Sequence, residues 1–264
     1  MNKKQQGLGA KVRAKSKRKG WRERLLRGCL LVSCSLGGAL ASNAESDTAR
    51  GGFVDINVYP FLSDVKTDNL ITVNIAAKLG GRLSYFSLNN MASAEGKKNI
   101  SDLNRYYSEQ NIRWKISADS PLDLTLQMNF RSGANNDRHR LGIRWRLSDS
   151  AGLKAVFNKL HLSYSINLHA IQFDHEDSDV WQMEHVFRLQ FPYLSPRLYL
   201  AGFVDHTFNQ NLPSSMPTNP VVGEVQLGYR VVDNFYLISE YRVNEYRRSD
   251  VNNLSAGIEY KLLW

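Results

Sequence analysis

From residue 53 to the end of the chain, apolar and polar side chains alternate with a period of two in one segment after another. That period places successive side chains on opposite faces of a β-strand. In the clearest case, Leu122, Leu124, Leu126, Met128 and Phe130 form one face, and Asp123, Thr125, Gln127, Asn129 and Arg131 the other. Arg138 to Leu147 and Leu160 to Ala170 repeat the pattern. So, less regularly, do Trp181 to Phe191, Arg197 to Phe208, Val221 to Val231, Phe235 to Tyr246 and Asn253 to Trp264. Phe53 to Tyr59, Leu70 to Lys78, Arg82 to Leu88 and Tyr107 to Ile116 complete a predicted set of twelve strands.

The connections alternate in length. Leu79-Gly80-Gly81, Ser117 to Pro121, Tyr193 to Pro196 and Val232-Asp233-Asn234 are tight-turn sequences,. The other set is mostly longer and more polar, notably Asn89 to Arg105 and Asn209 to Pro220. One short-side exception, Ala151 to Lys159, reads as a helical turn. An even strand count with short turns on one rim and long loops on the other is the layout of an all-β, antiparallel, up-and-down transmembrane barrel. A water-soluble sandwich also uses alternating strands. Against it stand segments of about ten residues, the length a tilted strand needs to cross a bilayer. The apolar faces end in Trp114, Trp145, Trp181, Tyr199 and Tyr260, as an interfacial girdle would,. The opposite faces carry charges that suit a wet lumen and not a sandwich core.

Charge changes the picture at the N-terminus. The chain has 34 Lys+Arg and 25 Asp+Glu, but residues 1–44 hold eleven of the basic residues and one acid, Glu23. The remaining 23 basic and 24 acidic residues nearly balance, so the body offers no basic footprint for nucleic acid,. After Arg27 an uncharged stretch runs from Gly28 to Ala44 and ends in small residues. This is the pattern of a secretory signal peptide, residues 1–44 with a long basic n-region, leaving 45–264 as the barrel,. Rival readings are a membrane anchor, a basic nucleic-acid arm, or a lipoprotein box at Leu31-Val32-Ser33-Cys34. Cys29 and Cys34 both lie in this leader, so the mature chain is expected to hold no disulfide, Cys-ligated metal or thiol nucleophile,.

The last strand puts Leu254, Ala256, Ile258, Tyr260, Leu262 and Trp264 on one face and stops on the aromatic. It resembles the C-terminal strand of Gram-negative outer-membrane proteins. That resemblance implies an outer-membrane location, contact with membrane lipid and lipopolysaccharide, and a barrel-assembly signal in Ile258, Tyr260, Leu262 and Trp264. Over about residues 52–264 the strand count, loop alternation and terminal strand resemble the twelve-stranded nucleoside-specific channel-forming porins. No nucleoside-binding motif is present to transfer residue by residue.

With the polar faces inward, the lumen charges divide. Arg113, Arg131, Arg138, Arg140, Arg144 and Arg146 make one wall basic, and Glu184, Asp205, Glu224, Glu240 and Glu259 place most of the acids on the facing wall. Such walls set up a transverse field that would orient small dipolar or anionic solutes. The expected function is passive passage of small hydrophilic solutes, anionic or nucleoside-like ones included, with these residues as selectivity elements and no cofactor. Two alternatives stand beside it. One is a closed structural or adhesive barrel. The other is an outer-membrane lipid hydrolase using His161, Ser163, Ser165, Asn167 and His169, although Tyr164 stands where the compact His-x-Ser-Asn signature needs Asn,. An acidic loop with His169, Asp174, His175, Glu176, Asp177 and Asp179 reads as solvated surface or as a weak divalent-ion site,.

Overall fold

A computed structural model describes residues 51–63, 69–93, 103–133, 136–173, 179–247 and 250–264. The expected signal peptide and Asp174, His175, Glu176 and Asp177 lie outside the described residues. Twelve strands are present: β1 Gly52–Leu62, β2 Ile71–Gly80, β3 Leu83–Ser93, β4 Leu103–Lys115, β5 Leu122–Arg131, β6 Arg138–Arg146, β7 Leu162–Phe173, β8 Trp181–Gln190, β9 Leu198–Phe208, β10 Val221–Val232, β11 Phe235–Asn244 and β12 Asn252–Leu263. Each pairs antiparallel with its sequence neighbours, and β1 pairs with β12, so the sheet is a closed barrel. No helix among the described residues is long and apolar enough to cross a membrane; this fold would cross with strands,.

The twelve predicted segments coincide with these strands, and their ends differ where alternation fails. The polar stretch beginning at Asn89 reads as loop, yet β3 runs on to Ser93 and β4 begins at Leu103, paired through Met91↔Tyr106 and Ala92↔Arg105. Backbone pairing continues there without an apolar face to announce it. In β7 the period of two breaks, because the ladder shifts between Leu141↔Ile171 and Ile143↔Leu168. Gly142 sits at that bulge, where a Cβ would stand 2.0 Å from the Leu168 carbonyl oxygen.

The turn rim holds the hairpins expected there, with Gly80 and Gly81 at positive φ (101° and 56°) and Asn234 at 66°. Between β6 and β7 a 3-10 turn, Leu147–Asp149, leads into α1, Lys154–Lys159. Both barrel termini are on this rim, where the Gly52 amide donates to the Trp264 carbonyl at 3.0 Å and the Trp264 amide returns the bond at 3.2 Å.

The barrel is apolar outside and polar inside. On β5, Asp123, Thr125, Gln127 and Asn129 are buried while Leu124 is exposed. Trp114, Trp145 and Tyr260 face outward near the turn rim, as the girdle requires. Tyr199 does not join them: it points inward and is 3% exposed. Apolar residues on both faces of β9, such as Leu198, Leu200, Ala201 and Phe203, leave its alternation ambiguous.

Replacing Gly142 with alanine drives a methyl into the Leu168 backbone. The expected cost is about 1–3 kcal/mol, read as a lowered urea midpoint of the heat-modifiable band in detergent micelles.

Candidate functional site

The inward side chains surround a cavity of about 1180 Å³. Its lining includes Gly51, Lys78 and Lys261 at the turn rim and Arg105, Tyr246 and Arg247 at the loop rim, so the space extends over the height of the barrel. Of the residues assigned to the lumen from the sequence, Arg113, Arg131, Arg138, Arg140, Arg144, Glu184, Asp205, Glu224, Glu240 and Glu259 line it. Arg146 does not. Its guanidinium is held at the turn rim by Asp149 at 2.6 Å, the Ser120 carbonyl at 2.7 Å and Asp123 at 3.3 Å.

Adjacent strands deliver the basic wall. β4 to β6 line the cavity with Arg105, Arg113, Arg131, Arg138, Arg140 and Arg144, against the single acid Glu109. Arg144 is matched by Asp123 at 2.6 Å. Arg140, at 3% exposure, instead donates to the neutral amides of Gln127 and Gln172, both at 2.8 Å. Those bonds orient the guanidinium without cancelling its charge. Arg138 donates to Gln210 at 3.2 Å, and Arg131 lies over the Tyr107 ring at 5.5 Å. Farther along β4, Arg113 sits over Phe86 at 5.4 Å.

The acids of β10 to β12 are met largely within their own wall. Glu240 pairs with Arg242 and accepts from the Tyr59 hydroxyl at 2.9 Å. Glu259 pairs with Lys261 and accepts from Tyr199. Lys261 also reaches Asp55 at 3.4 Å across the β1–β12 seam. Arg188 stacks over Tyr199 at 3.9 Å, and Arg242 over Tyr59 at 4.2 Å. On β4, Glu109 accepts from Tyr107 at 3.0 Å and Asn111 at 2.8 Å.

Sequence reasoning missed the inward tyrosines Tyr59 and Tyr199 and the seam residue Asp55. The signal available for Asp55 was its alternation with Phe53 and Asn57, two places from each along β1.

The strand-seven set does not assemble as a serine–histidine pair. His161 precedes β7 in a left-handed turn (φ 52°) and packs against Tyr193 at 5.7 Å. Ser163 is opposite Arg188 in the ladder, Asn167 donates to Glu184, and buried His169 faces Glu184 at 4.0 Å. Among the described residues no cluster of His, Asp and Glu has the arrangement of a metal site. Leu262, Tyr260 and Ile258 lie on the outer face of β12 and Trp264 follows its end, all exposed.

No protein-family model and no curated protein matches the sequence. Solved structures with a similar backbone include the KdgM porin, at TM-score 0.44 and 11% identity over 80% of this chain and 98% of that one. The outer membrane phospholipase A from Escherichia coli gives TM-score 0.44 and 9% identity over 80% and 95% of the two chains. OpdK from Pseudomonas aeruginosa, solved with vanillate, gives 0.35 and 8% over 81% and 98%. By name the first of these is a porin and the second an outer-membrane enzyme. The closed twelve-stranded barrel described above rests on its own strand pairing. The resemblance to nucleoside channels rested on strand count, loop alternation and the terminal strand, features that do not depend on the solute.

Replacing Asp123, 2% exposed between Arg144 and Arg146, with asparagine removes the carboxylate that both guanidiniums share. Loss of these charge-assisted bonds should cost about 2 kcal/mol, measured by urea unfolding against Thr125→Ser on the same face.

Proposed function

We propose that this chain is an outer-membrane channel for passive passage of small hydrophilic solutes, with a preference for anions. The observation that carries the reading is a cavity lined by residues of both rims, with six arginines on β4 to β6. Its size lies at or above the ~300–1,000 Å³ typical of small-ligand sites. The outer face supports a bilayer setting. Leu122, Leu124, Leu126, Met128 and Phe130 present an apolar strip on β5, and aromatics stand near both rims,.

Selectivity follows from how the charges are held. A permeating anion meets Arg140, whose side-chain bonds run to amides, and passes acids on β11 and β12 that are engaged by Arg242, Lys261 and tyrosines. Fixed positive charge in a narrow aqueous space raises the local anion concentration. The terminal residues Ile258, Tyr260, Leu262 and Trp264 are the proposed signal to the barrel-assembly machinery.

Planar-bilayer recordings of the refolded barrel should show ohmic single-channel steps with anion preference. Arg140→Glu should reduce or reverse that preference. Arg82→Glu, the same charge change on an exposed turn-rim residue over Trp114, should leave it nearly unchanged. Equal effects of the two variants would remove Arg140 as a selectivity element. Silence from a folded, heat-modifiable barrel would overturn the channel itself.

A further inference from the structure

A cluster of polar side chains interrupts the apolar outer surface where β3 meets β4. There Tyr85, itself among the cavity-lining residues, precedes Ser87 and Asn89, which alternate with the inward residues Phe86, Leu88 and Asn90 and so belong to the outward face; Ser87 is wholly covered by its neighbours. Across the ladder Ser87 pairs with Gln110 and Asn89 with Ser108, which share the outward face of β4 with Ile112 and Trp114. The five side chains form one hydrogen-bond network. Tyr85 donates to the Gln110 side-chain oxygen. Gln110 Nε2 donates to Ser108 Oγ at 2.6 Å and Asn89 Oδ1 at 3.3 Å, and Ser108 donates to Asn89 Oδ1 at 2.7 Å. Asn89 Nδ2 donates to Ser87 Oγ at 3.1 Å and to the Val73 carbonyl at 3.2 Å.

This network lies near the middle of the wall. Gln110 is four residues from Tyr106 toward the loop rim and four from Trp114 toward the turn rim. At ~3.4 Å per residue, less for tilt, each aromatic is roughly 10 Å away along the membrane normal. Hydrocarbon offers amides and hydroxyls no partner, which makes such a face costly to leave against lipid tails. The other outward polar pair, Tyr164 and His185 at 2.6 Å, differs: Tyr164 is near the start of β7 and stacks on Phe157 of α1 at 6.2 Å, at the turn-rim interface.

We infer that the β3–β4 face is covered by the same face of a second copy of this chain, related by a two-fold axis. The occupant follows from the chemistry. Asn89, Gln110 and Ser108 are neutral and each is both donor and acceptor, so the patch is complementary to itself, which a two-fold contact requires,. A lipid tail has neither group. Ser87 beside Asn89 and Gln110 is small and fully covered, which lets two sheets approach closely,. The inference rests on the membrane-spanning reading above, and not on the channel activity.

The test uses the full chain in detergent micelles with Cys29 and Cys34 changed to serine. Ser108→Cys is compared with Ser239→Cys, an equally conservative change on the exposed outward face of β11. A short thiol-to-thiol cross-linker should give a dimer-sized band from Ser108→Cys and a monomer from Ser239→Cys. The pair Asn89→Leu and Gln110→Leu together should weaken self-association about tenfold by sedimentation equilibrium. Equal cross-linking at both sites, or a monomer mass for the unsubstituted barrel in micelles, overturns the dimer. If the leucine variant does not fold, the cysteine comparison still decides. Solubility of the folded barrel without detergent would instead overturn the membrane setting.

Discussion

The backbone hydrogen bonds between β1 and β12 leave the sheet without an edge, and that closure makes the other features possible. In hydrocarbon an unpaired row of amides and carbonyls is prohibitive, so an open sheet of this outward composition has no setting. Closure also creates an inside. The pairing from Phe53↔Leu263 to Val58↔Ile258 fixes which residues of β12 face the lumen, and puts Lys261 opposite Asp55. A salt bridge thus spans the junction between the first and last strands to form.

Given closure, the interior has to be polar and yet held in place. Carboxylates near cations of the same wall and arginines near amides meet both demands. Glu259 with Lys261 and Tyr199 fixes side chains at little net charge, whereas Arg140 between Gln127 and Gln172 fixes a side chain and keeps its charge. The two arrangements have opposite consequences for a solute. The first narrows the lumen at little net charge; the second leaves a positive charge at the lumen wall. In the proposed channel, selectivity would depend on which partner an arginine has, more than on the number of arginines.

Much of this was legible in the sequence because a barrel with an apolar exterior and a polar interior writes its architecture as a period of two. β5 and β6 could be read side chain by side chain, and their inward arginines line the cavity as the alternation implied, save Arg146. Legibility failed where the rule supplying it failed. Tyr199 was assigned to the girdle because β9 is apolar on both faces, and an aromatic residue fits either side. His161 fell out of β7 because its backbone is in the left-handed region, which no periodicity reports. The ends of β3 and β4 were read as loop because both faces are polar there. The partners of the lumen charges were not legible at all, since contacts such as Tyr59 to Glu240 join residues 181 apart.

The same two-sided polarity raises the question of what fixes the β3–β4 register. Slipping one strand past its neighbour by a single residue exchanges its faces, and hydrophobic patterning normally forbids this. On β3 it does not: a slip would turn Phe86 and Leu88 outward, which lipid would accept, and bring Ser87 and Asn89 into the wet lumen. What opposes the slip is directional bonding. Inside, Thr72 donates to Asn90 at 2.7 Å and Arg113 lies over Phe86; outside, Asn89 and Gln110 tie both strands together. None of these contacts survives an exchange of faces. Hydrogen bonds thus set this register where apolar area sets the others, and the polar outer surface between β3 and β4 is the direct result.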